Sequence, residues 1–226
     1  MIPPPLMLIF HTSLFWTIQD DDKSVKICRR SHVYVQSLAL GLSIVSEDWL
    51  IQSAKTDCWA KIDEYEIYAD ERTYNSRQIL AATGICRRSR LLYRSETVPF
   101  FGYTFYIPQN NQKEINIARH ITANLVEIWG GEILWTKEEV GTAIRTEKKC
   151  VCLVASSAPC VSSLYDTCMP FGYRIVEHLK SVGGSEKADV IDYSWIEDSV
   201  ASCRLQPMVD YIRGEIVKVD QTKSIN

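Results

Sequence analysis

The sequence predicts an α/β protein built from two modules, each a four-stranded parallel sheet flanked by helices. The first observation is an internal repeat: residues 44–67 occur again at 190–213, and a shift of 146 positions lays Trp49 on Trp195 without a gap. The second is that apolar runs typical of buried strands alternate with segments of helical periodicity, which indicates parallel strands joined by crossover helices. A chain of 226 residues is long enough for two such modules.

Composition narrows the class of protein. Hydrophobic residues make up 46% and charged residues 23%, and a net charge of -3 does not indicate a protein that coats nucleic acid. The eight cysteines form no C-x-x-C pair and the four histidines lie far from them, so we expect no metal site, no cofactor and no disulfide framework. We expect neither a signal peptide nor a membrane span, and a reducing intracellular compartment.

The first module is predicted over residues 1–67. Its apolar run 6–10 resembles a buried parallel strand, and Gln19–Lys26, with three consecutive aspartates, is predicted as a solvated loop. Residues 31–40 are predicted as a helix ended by Gly41, and a short strand at 43–45 follows. The buried face of that helix is expected to carry Tyr34, Val35, Leu38 and Ala39.

Residues 68–98 are predicted to link the modules. They contain Arg72, Arg77, Arg87, Arg88, Arg90 and Arg94, a helix-compatible piece at 76–82, and little else that could build a core. A basic linker is usually a solvated surface, and the more specific alternative is that it makes a weak contact with DNA.

The second module is predicted over residues 99–217, before a tail at 218–226. Its expected elements follow in order: a strand at 102–107, a helix at 117–129 that ends at Gly130–Gly131, a strand at 132–135, a polar loop at 137–149, a strand at 151–155, a helix at 173–182, and a strand at 189–191.

Each copy of the repeat closes with a helix that carries a tryptophan at its start. Helical spacing predicts one buried face in each copy, and an aromatic residue on such a face is expected to be structural core. These faces comprise Trp49, Leu50, Ser53 and Ala54 in the first copy, and Trp195, Ile196, Ser199 and Val200 in the second.

The order of these motifs resembles the BRCT domain, named for the C-terminus of a breast-cancer susceptibility protein. The resemblance rests on an aromatic first strand, a helix ending in G-G, a hydrophobic third strand, a V-I or I-V strand, and W-[IL]-x-x-S at Trp49–Ser53 and Trp195–Ser199. Two copies resemble the tandem BRCT pairs of DNA-damage checkpoint mediators. The resemblance implies a nuclear, non-enzymatic adaptor of DNA repair that binds a phosphorylated protein or histone-tail peptide.

The first module departs from this pattern because too few residues precede its helix at Ser31. We interpret residues 6–10 as the third strand of a module whose first strand, helix and second strand are missing, so that the module is N-terminally truncated. The rival interpretation makes 6–10 a first strand followed by a shortened insert.

The resemblance also implies a phosphate pocket in the first module. Phosphopeptide-binding pairs use a Ser or Thr hydroxyl, a Gly N–H, and the Lys of R-T-x-K-[FY]; a phosphate favours several charge-assisted donors. Here Arg30 is kept, helped by Arg29, whereas Val33 replaces the Lys. Thr12 and Ser13 are the candidate hydroxyls, and no Gly follows them.

Three functions follow from these observations. The first is the phosphopeptide-reading adaptor, and the second is a phosphate-independent scaffold that binds a protein or DNA. The third is a cysteine phosphatase, from the C-x5-R pattern of Cys168–Arg174, but Thr167 stands where those enzymes carry His, and Gly172 comes one position late. We therefore predict that the chain is not an enzyme, with no catalytic residues.

Overall fold

The computed structural model describes residues 7–10, 15–20, 23–76, 84–96, 98–107, 113–146, 149–154 and 188–211. The strands are β1 (Met7–Phe10), β2 (Phe15–Asp20), β3 (Lys23–Cys28), β4 (Ser43–Ser46), β5 (Ala69–Asp70), β6 (Tyr103–Tyr106), β7 (Glu132–Leu134), β8 (Lys149–Val154) and β9 (Ala188–Asp192). The helices are α1 (His32–Ala39), α2 (Asp48–Thr56), α3 (Glu71–Asn75), α4 (Ile85–Arg94), α5 (Lys113–Ile128), α6 (Lys137–Arg145) and α7 (Ser194–Ala201). Single 3₁₀ turns lie at Ile62–Glu64 and Met208–Tyr211.

The second module contains the predicted four-stranded parallel sheet, in the order β7-β6-β8-β9. Helix α5 leads into the sheet through Gly130 and Gly131. Gly130 has a φ of +79°, and a Cβ on Gly131 would lie 2.6 Å from Cγ1 of Val126. The first glycine therefore supplies a left-handed turn and the second a close approach of helix and strand.

The repeat has the same geometry in both copies. The indole N–H of Trp49 donates to the carbonyl of Ala60 (2.9 Å), and that of Trp195 donates to the carbonyl of Gln206 (2.8 Å). Ser53 Oγ accepts from the backbone N–H of Ala60 (3.0 Å), and Ser199 Oγ accepts from that of Gln206 (3.1 Å). Both tryptophans are buried, as predicted. The Trp and Ser of the W-[IL]-x-x-S motif thus hydrogen-bond to the backbone of the segment that follows each helix.

Strand β1 pairs in parallel with β4, and Ile9 lies opposite Val45. Through the shift of 146 positions β4 corresponds to β9, whose parallel neighbour is the third strand β8. The first strand of the second module, β6, pairs with β7 and β8. The pairing of β1 is therefore that of a third strand.

The prediction of a solvated loop at Gln19–Lys26 was wrong. Strands β2 and β3 form an antiparallel hairpin with Ile18 opposite Val25, and β3 continues into a parallel pairing with β5. Asp20, the first of the three aspartates, is the last residue of β2 and lies opposite Lys23. Alternation of apolar and polar residues from Ser24 to Cys28 was the signal of a half-buried strand.

The prediction that 68–98 holds little that could build a core was also wrong. Ala69, Ile85 and Cys86 are buried with the main hydrophobic cluster. Helix α4 packs against α1, and Ser89 Oγ donates a hydrogen bond to the carbonyl of Leu38. Four arginines of this segment, Arg87, Arg88, Arg90 and Arg94, therefore lie on a packed helix rather than in a free linker.

The polar loop predicted at 137–149 contains helix α6. Thr136 and Glu139 form a capping box: Thr136 Oγ1 accepts from the N–H of Glu139, while the Glu139 carboxylate accepts from the N–H of Trp135 and of Thr136. These bonds lower the pKa of Glu139. Val140 and Ala143, three positions apart, are both buried, as expected for one face of a helix. The sequence analysis did not predict this helix.

The helix predicted at 173–182, the C-x5-R segment at 168–174 and the tail at 218–226 lie outside the described residues. So do residues 77–82 of the helix-compatible piece and single residues of other predicted elements, such as Leu6 and Ala155. In the part of the chain that the structure describes, no helix has the length and apolar character needed to cross a membrane.

The two modules are expected to differ when expressed separately. We expect residues 98–217 to melt cooperatively, and residues 1–67 to aggregate, because the latter lack β5 and the buried Ile85 and Cys86 of α4. Thermal melts and gel filtration of the two fragments measure this difference. A monomeric 1–67 fragment with a cooperative melt would contradict it.

Candidate functional site at the junction of the modules

The modules meet along three helices. Helix α1 of the first module packs against α5 and α7 of the second, and α4 packs against α1. Ser31 caps α1 by accepting a hydrogen bond from the N–H of Tyr34 (3.2 Å), so the chain turns sharply between Arg30 and the helix. As predicted, Tyr34, Val35, Leu38 and Ala39 are buried. The start of α1 therefore lies at the junction, with Arg30 beside it.

Arg30 joins three polar groups at this junction. Its Nε donates to Oδ1 of Asp70 (2.8 Å), and its Nη2 donates to Oγ1 of Thr73 (2.6 Å). Its Nη1 donates to Oδ1 of Asp198, on α7 of the other module. The Arg30 side chain is 10% exposed and Asp70 is fully buried. One buried guanidinium thus connects the two modules.

Asp198 is the shared acceptor on the second module. Besides Arg30, Nη2 of Arg72 donates to its Oδ2 (2.8 Å), and the hydroxyl of Tyr211 donates to the same oxygen (2.9 Å). The side chain of Asp198 is 2% exposed, whereas that of Arg72 is 48% exposed. Arg30 of the first module and Arg72 of the linker segment therefore converge on one buried carboxylate of the second module.

Asp70 is positioned by its own helix. It is the N-cap of α3, and its Oδ1 accepts from the N–H groups of Arg72 and Thr73 (3.1 Å each). Thr73 Oγ1 donates to its Oδ2 (2.7 Å). These hydrogen bonds fix the orientation of the buried Asp70 carboxylate, so that it can accept from Arg30.

The electrostatics of the junction follow from these contacts. Burial alone would lower the pKa of Arg30, but the carboxylates of Asp70 and Asp198 outweigh it and raise that pKa above its usual value. Burial raises the pKa of the Tyr211 hydroxyl, and the charge of Asp198 raises it further. Burial also raises the pKa of Glu197, against the opposing effects of His32, Arg30 and Arg72. Arg30 is therefore permanently charged and neutralised within the protein.

The predicted phosphate-site residues differ in exposure. Arg29, directly before Arg30 in the chain, is exposed, and Val33 is 56% exposed on the first turn of α1. The side chain of Arg30 is 10% exposed, and its donors are directed to Asp70, Thr73 and Asp198. Thr12 and Ser13 lie outside the described residues.

Sequence reasoning missed the acidic half of this site. Sequence analysis assigns Asp70, Thr73, Asp198 and Tyr211 to no site, and Arg72 only to the basic linker. One signal was present: Asp70 followed by Glu71 and Thr73 is a helix N-cap pattern, which predicts a carboxylate that accepts backbone N–H bonds. Nothing local marks Asp198, since an acidic residue within a helix is usually exposed. No group of three or more His, Cys, Asp or Glu suited to a metal occurs among the residues described.

The described elements of the second module follow the order that the resemblance implies. An aromatic strand β6, a helix that ends at Gly130–Gly131, strands β8 and β9, and a buried Trp195 helix occur in sequence around one parallel sheet. The second module is BRCT-like. In the first module, β1, β4 and α2 repeat the arrangement of β8, β9 and α7, with β4 and α2 related to β9 and α7 by the shift of 146 positions, so the two BRCT-like modules stand in tandem.

Comparison with known proteins gave matches among solved structures alone. No protein-family model and no curated protein matches the chain. The BRCT5–BRCT6 domains of S. pombe Brc1 match with 13% identity and a TM-score of 0.46, over 77% of this chain and 74% of that one. BRCT3,4 of S. pombe Rad4 match with 12% identity and a TM-score of 0.34, over 76% and 69% of the two chains. Yeast Rtt107, in a structure with Slx4, matches with 15% identity and a TM-score of 0.32, over 77% and 37%. Our assignment of the fold rests on the sheet and the repeated Trp contacts.

Proposed function

We propose that this chain is a non-enzymatic adaptor of the DNA damage response that acts in the nucleus and recognises a phosphorylated protein across the junction of its modules. The observation that carries the proposal is the convergence of Arg30 and Arg72 on Asp198 at that junction, where Arg72 is half-exposed and Arg29, directly before Arg30 in the chain, is exposed. Guanidinium groups bind phosphate through paired, charge-assisted hydrogen bonds. Arg29 is the accessible cation beside Val33, and Arg72 can exchange its contact with Asp198 for one with a ligand.

Arg30 has two roles in this proposal. It holds the junction through Asp70 and Asp198. A peptide that lies across the junction would meet its edge, as the resemblance implies for the residue that reads the peptide backbone. Thr12 and Ser13 would supply a hydroxyl to the phosphate.

A specific observation favours the second candidate, a phosphate-independent scaffold. The charge of Arg30 is already balanced by Asp70 and Asp198, and Val33 offers an exposed apolar side chain where the resemblance implies a Lys. Arg87, Arg88 and Arg94 are exposed along α4, which supports weak, salt-dependent contact with DNA in this version of the function.

Val33→Lys is expected to strengthen binding of a phosphorylated histone-tail peptide about tenfold or more. A hydrogen bond between charged groups contributes about 1.5–3 kcal/mol, and the exposed position of Val33 tolerates the change. The measurement is a titration of phosphorylated and unphosphorylated versions of the peptide, with a DNA duplex as a third ligand. Leu91→Lys, equally exposed but on α4, is the matched control for added charge.

Arg29→Ala and Arg30→Ala complete the experiment. Each should weaken phosphate-dependent binding, and Arg29→Ala should do so without lowering the Tm because its side chain is exposed. Equal affinity for both peptide forms in every variant would contradict the phosphate-reading function and support the scaffold. Tight phosphate-dependent binding that survives both alanine variants would place the phosphate elsewhere.

A further inference from the structure

The first module has an open surface where the second module is closed. We define the open surface as the edge of β1 opposite β4, together with the outer face of α2 formed by Leu50, Ile51 and Ala54. Within the described residues β1 pairs with β4 alone. Leu50 and Ile51 are each 47% exposed, although helical spacing predicts Leu50 on a buried face.

The repeat identifies what covers the equivalent surface in the second module. Strand β8, which corresponds to β1, pairs on its other side with β6. Helix α7, which corresponds to α2, packs against α5 and α1, and Ile196 and Val200, the counterparts of Leu50 and Ala54, are fully buried. Strand β6 and helix α5 are consecutive in the chain. One strand–helix segment, β6 and α5, therefore contacts both parts of this surface, and α1 also packs on the helix.

We propose that the open surface binds a strand–helix segment of another polypeptide, in which a short aromatic strand is followed by an amphipathic helix. The backbone groups along a strand edge can pair with an added strand, which is a common mode of recognition between separate chains. The exposed apolar face of α2 then receives the helix that follows. This inference concerns a surface distinct from the junction, and it does not depend on phosphate recognition.

The repeat also predicts the register of the added strand. Met7 lies opposite Ser43 and corresponds to Val151, which pairs with Phe105. Leu8 corresponds to Cys152, which pairs with Tyr106. The incoming strand should run parallel to β1 with aromatic residues opposite Met7 and Leu8. The fully buried Phe105 indicates that the first of these positions favours an aromatic ring.

The test uses the full chain and a labelled synthetic peptide with the sequence of residues 99–129, which supplies this chemistry in the second module. We expect saturable 1:1 binding by fluorescence anisotropy, and slower amide hydrogen exchange in Met7–Phe10 and in α2. Leu50→Arg should weaken binding at least about tenfold, because it places a charge on the buried face. Leu91→Arg, another exposed leucine, is the matched control and should leave binding unchanged.

Three results of the binding experiment would overturn the proposal. They are the absence of saturable binding, equal affinity in the Leu50→Arg variant and the unaltered chain, and slower exchange in the second module instead of in β1 and α2. The last would mean that the peptide replaces β6 and α5. A peptide-free chain that is dimeric, and becomes monomeric on Leu50→Arg, would also overturn it by assigning the surface to a second copy.

Discussion

Replacing Trp195 by alanine is expected to lower the free energy of unfolding by about 3–5 kcal/mol. The side chain is 1% exposed, and its ring centroid lies 5.5 Å from that of Phe100, 6.1 Å from that of Tyr103 and 6.2 Å from that of Phe105. Truncation leaves a cavity among rigid rings, and it also leaves the carbonyl of Gln206 without the indole donor. Such a site collapses poorly, so the cost should lie in the upper part of the range.

Trp49→Ala is expected to lower the free energy of unfolding by an amount in the lower part of the same range. Its indole stacks on the half-exposed Trp59 at 5.2 Å, and that neighbour can move into the space that is left. Urea melts of both variants give the two values, with Trp135→Ala, a tryptophan 40% exposed, as the control at about 1 kcal/mol or less. Losses below about 1 kcal/mol at both 49 and 195 would show that these helices are not core.

Asp198→Asn is expected to lower the free energy of unfolding by about 3 kcal/mol, the low end of the range for a broken buried ion pair. Asparagine keeps the shape of the side chain but removes the charge that balances Arg30 and Arg72. Arg30 retains Asp70, which limits the loss. The half-exposed Arg72 can turn toward water.

Urea melts again supply the measurement, and Asp48→Asn is the matched control. Asp48 is 44% exposed and lies 3.5 Å from Lys26, an exposed pair for which we expect less than about 1 kcal/mol. A double-mutant cycle with Arg30→Met should give a coupling energy above about 1 kcal/mol, because the two charges are in contact. If Asp198→Asn costs no more than Asp48→Asn, the junction is not held by this network.

Local patterns predicted the elements whose burial is regular. Helix α1 was predicted almost to its ends, since one face carries apolar residues at helical spacing and Gly41 follows with a φ of +62°. The hairpin of β2 and β3 was not predicted, because its strands are half exposed and the residues between them in the sequence are acidic. Its composition therefore resembled that of a loop. Helix α6 was not predicted, because two buried residues, Val140 and Ala143, give only a weak signal of helical periodicity.

The candidate site could be predicted only in part. The motif at Arg30 to Tyr34 lies where α1 begins, at the junction of the modules. Its partners Asp70 and Asp198 lie 40 and 168 positions away in the sequence, and no local signal joins them to Arg30. The sequence does not show whether a charged side chain is solvated or paired with an opposite charge.

The sequence by itself determined the repeat, the two Trp helices and the contacts that fasten them, because these are local: a tryptophan and a serine one turn apart meet the same returning segment in both copies. Only the tertiary structure decided what the repeated helix faces. Ile196 is fully buried beneath neighbouring helices, while Leu50, at the same position of the motif, remains 47% exposed. The physical reason is that burial depends on the neighbours a helix meets, and a helix's own sequence does not specify those neighbours.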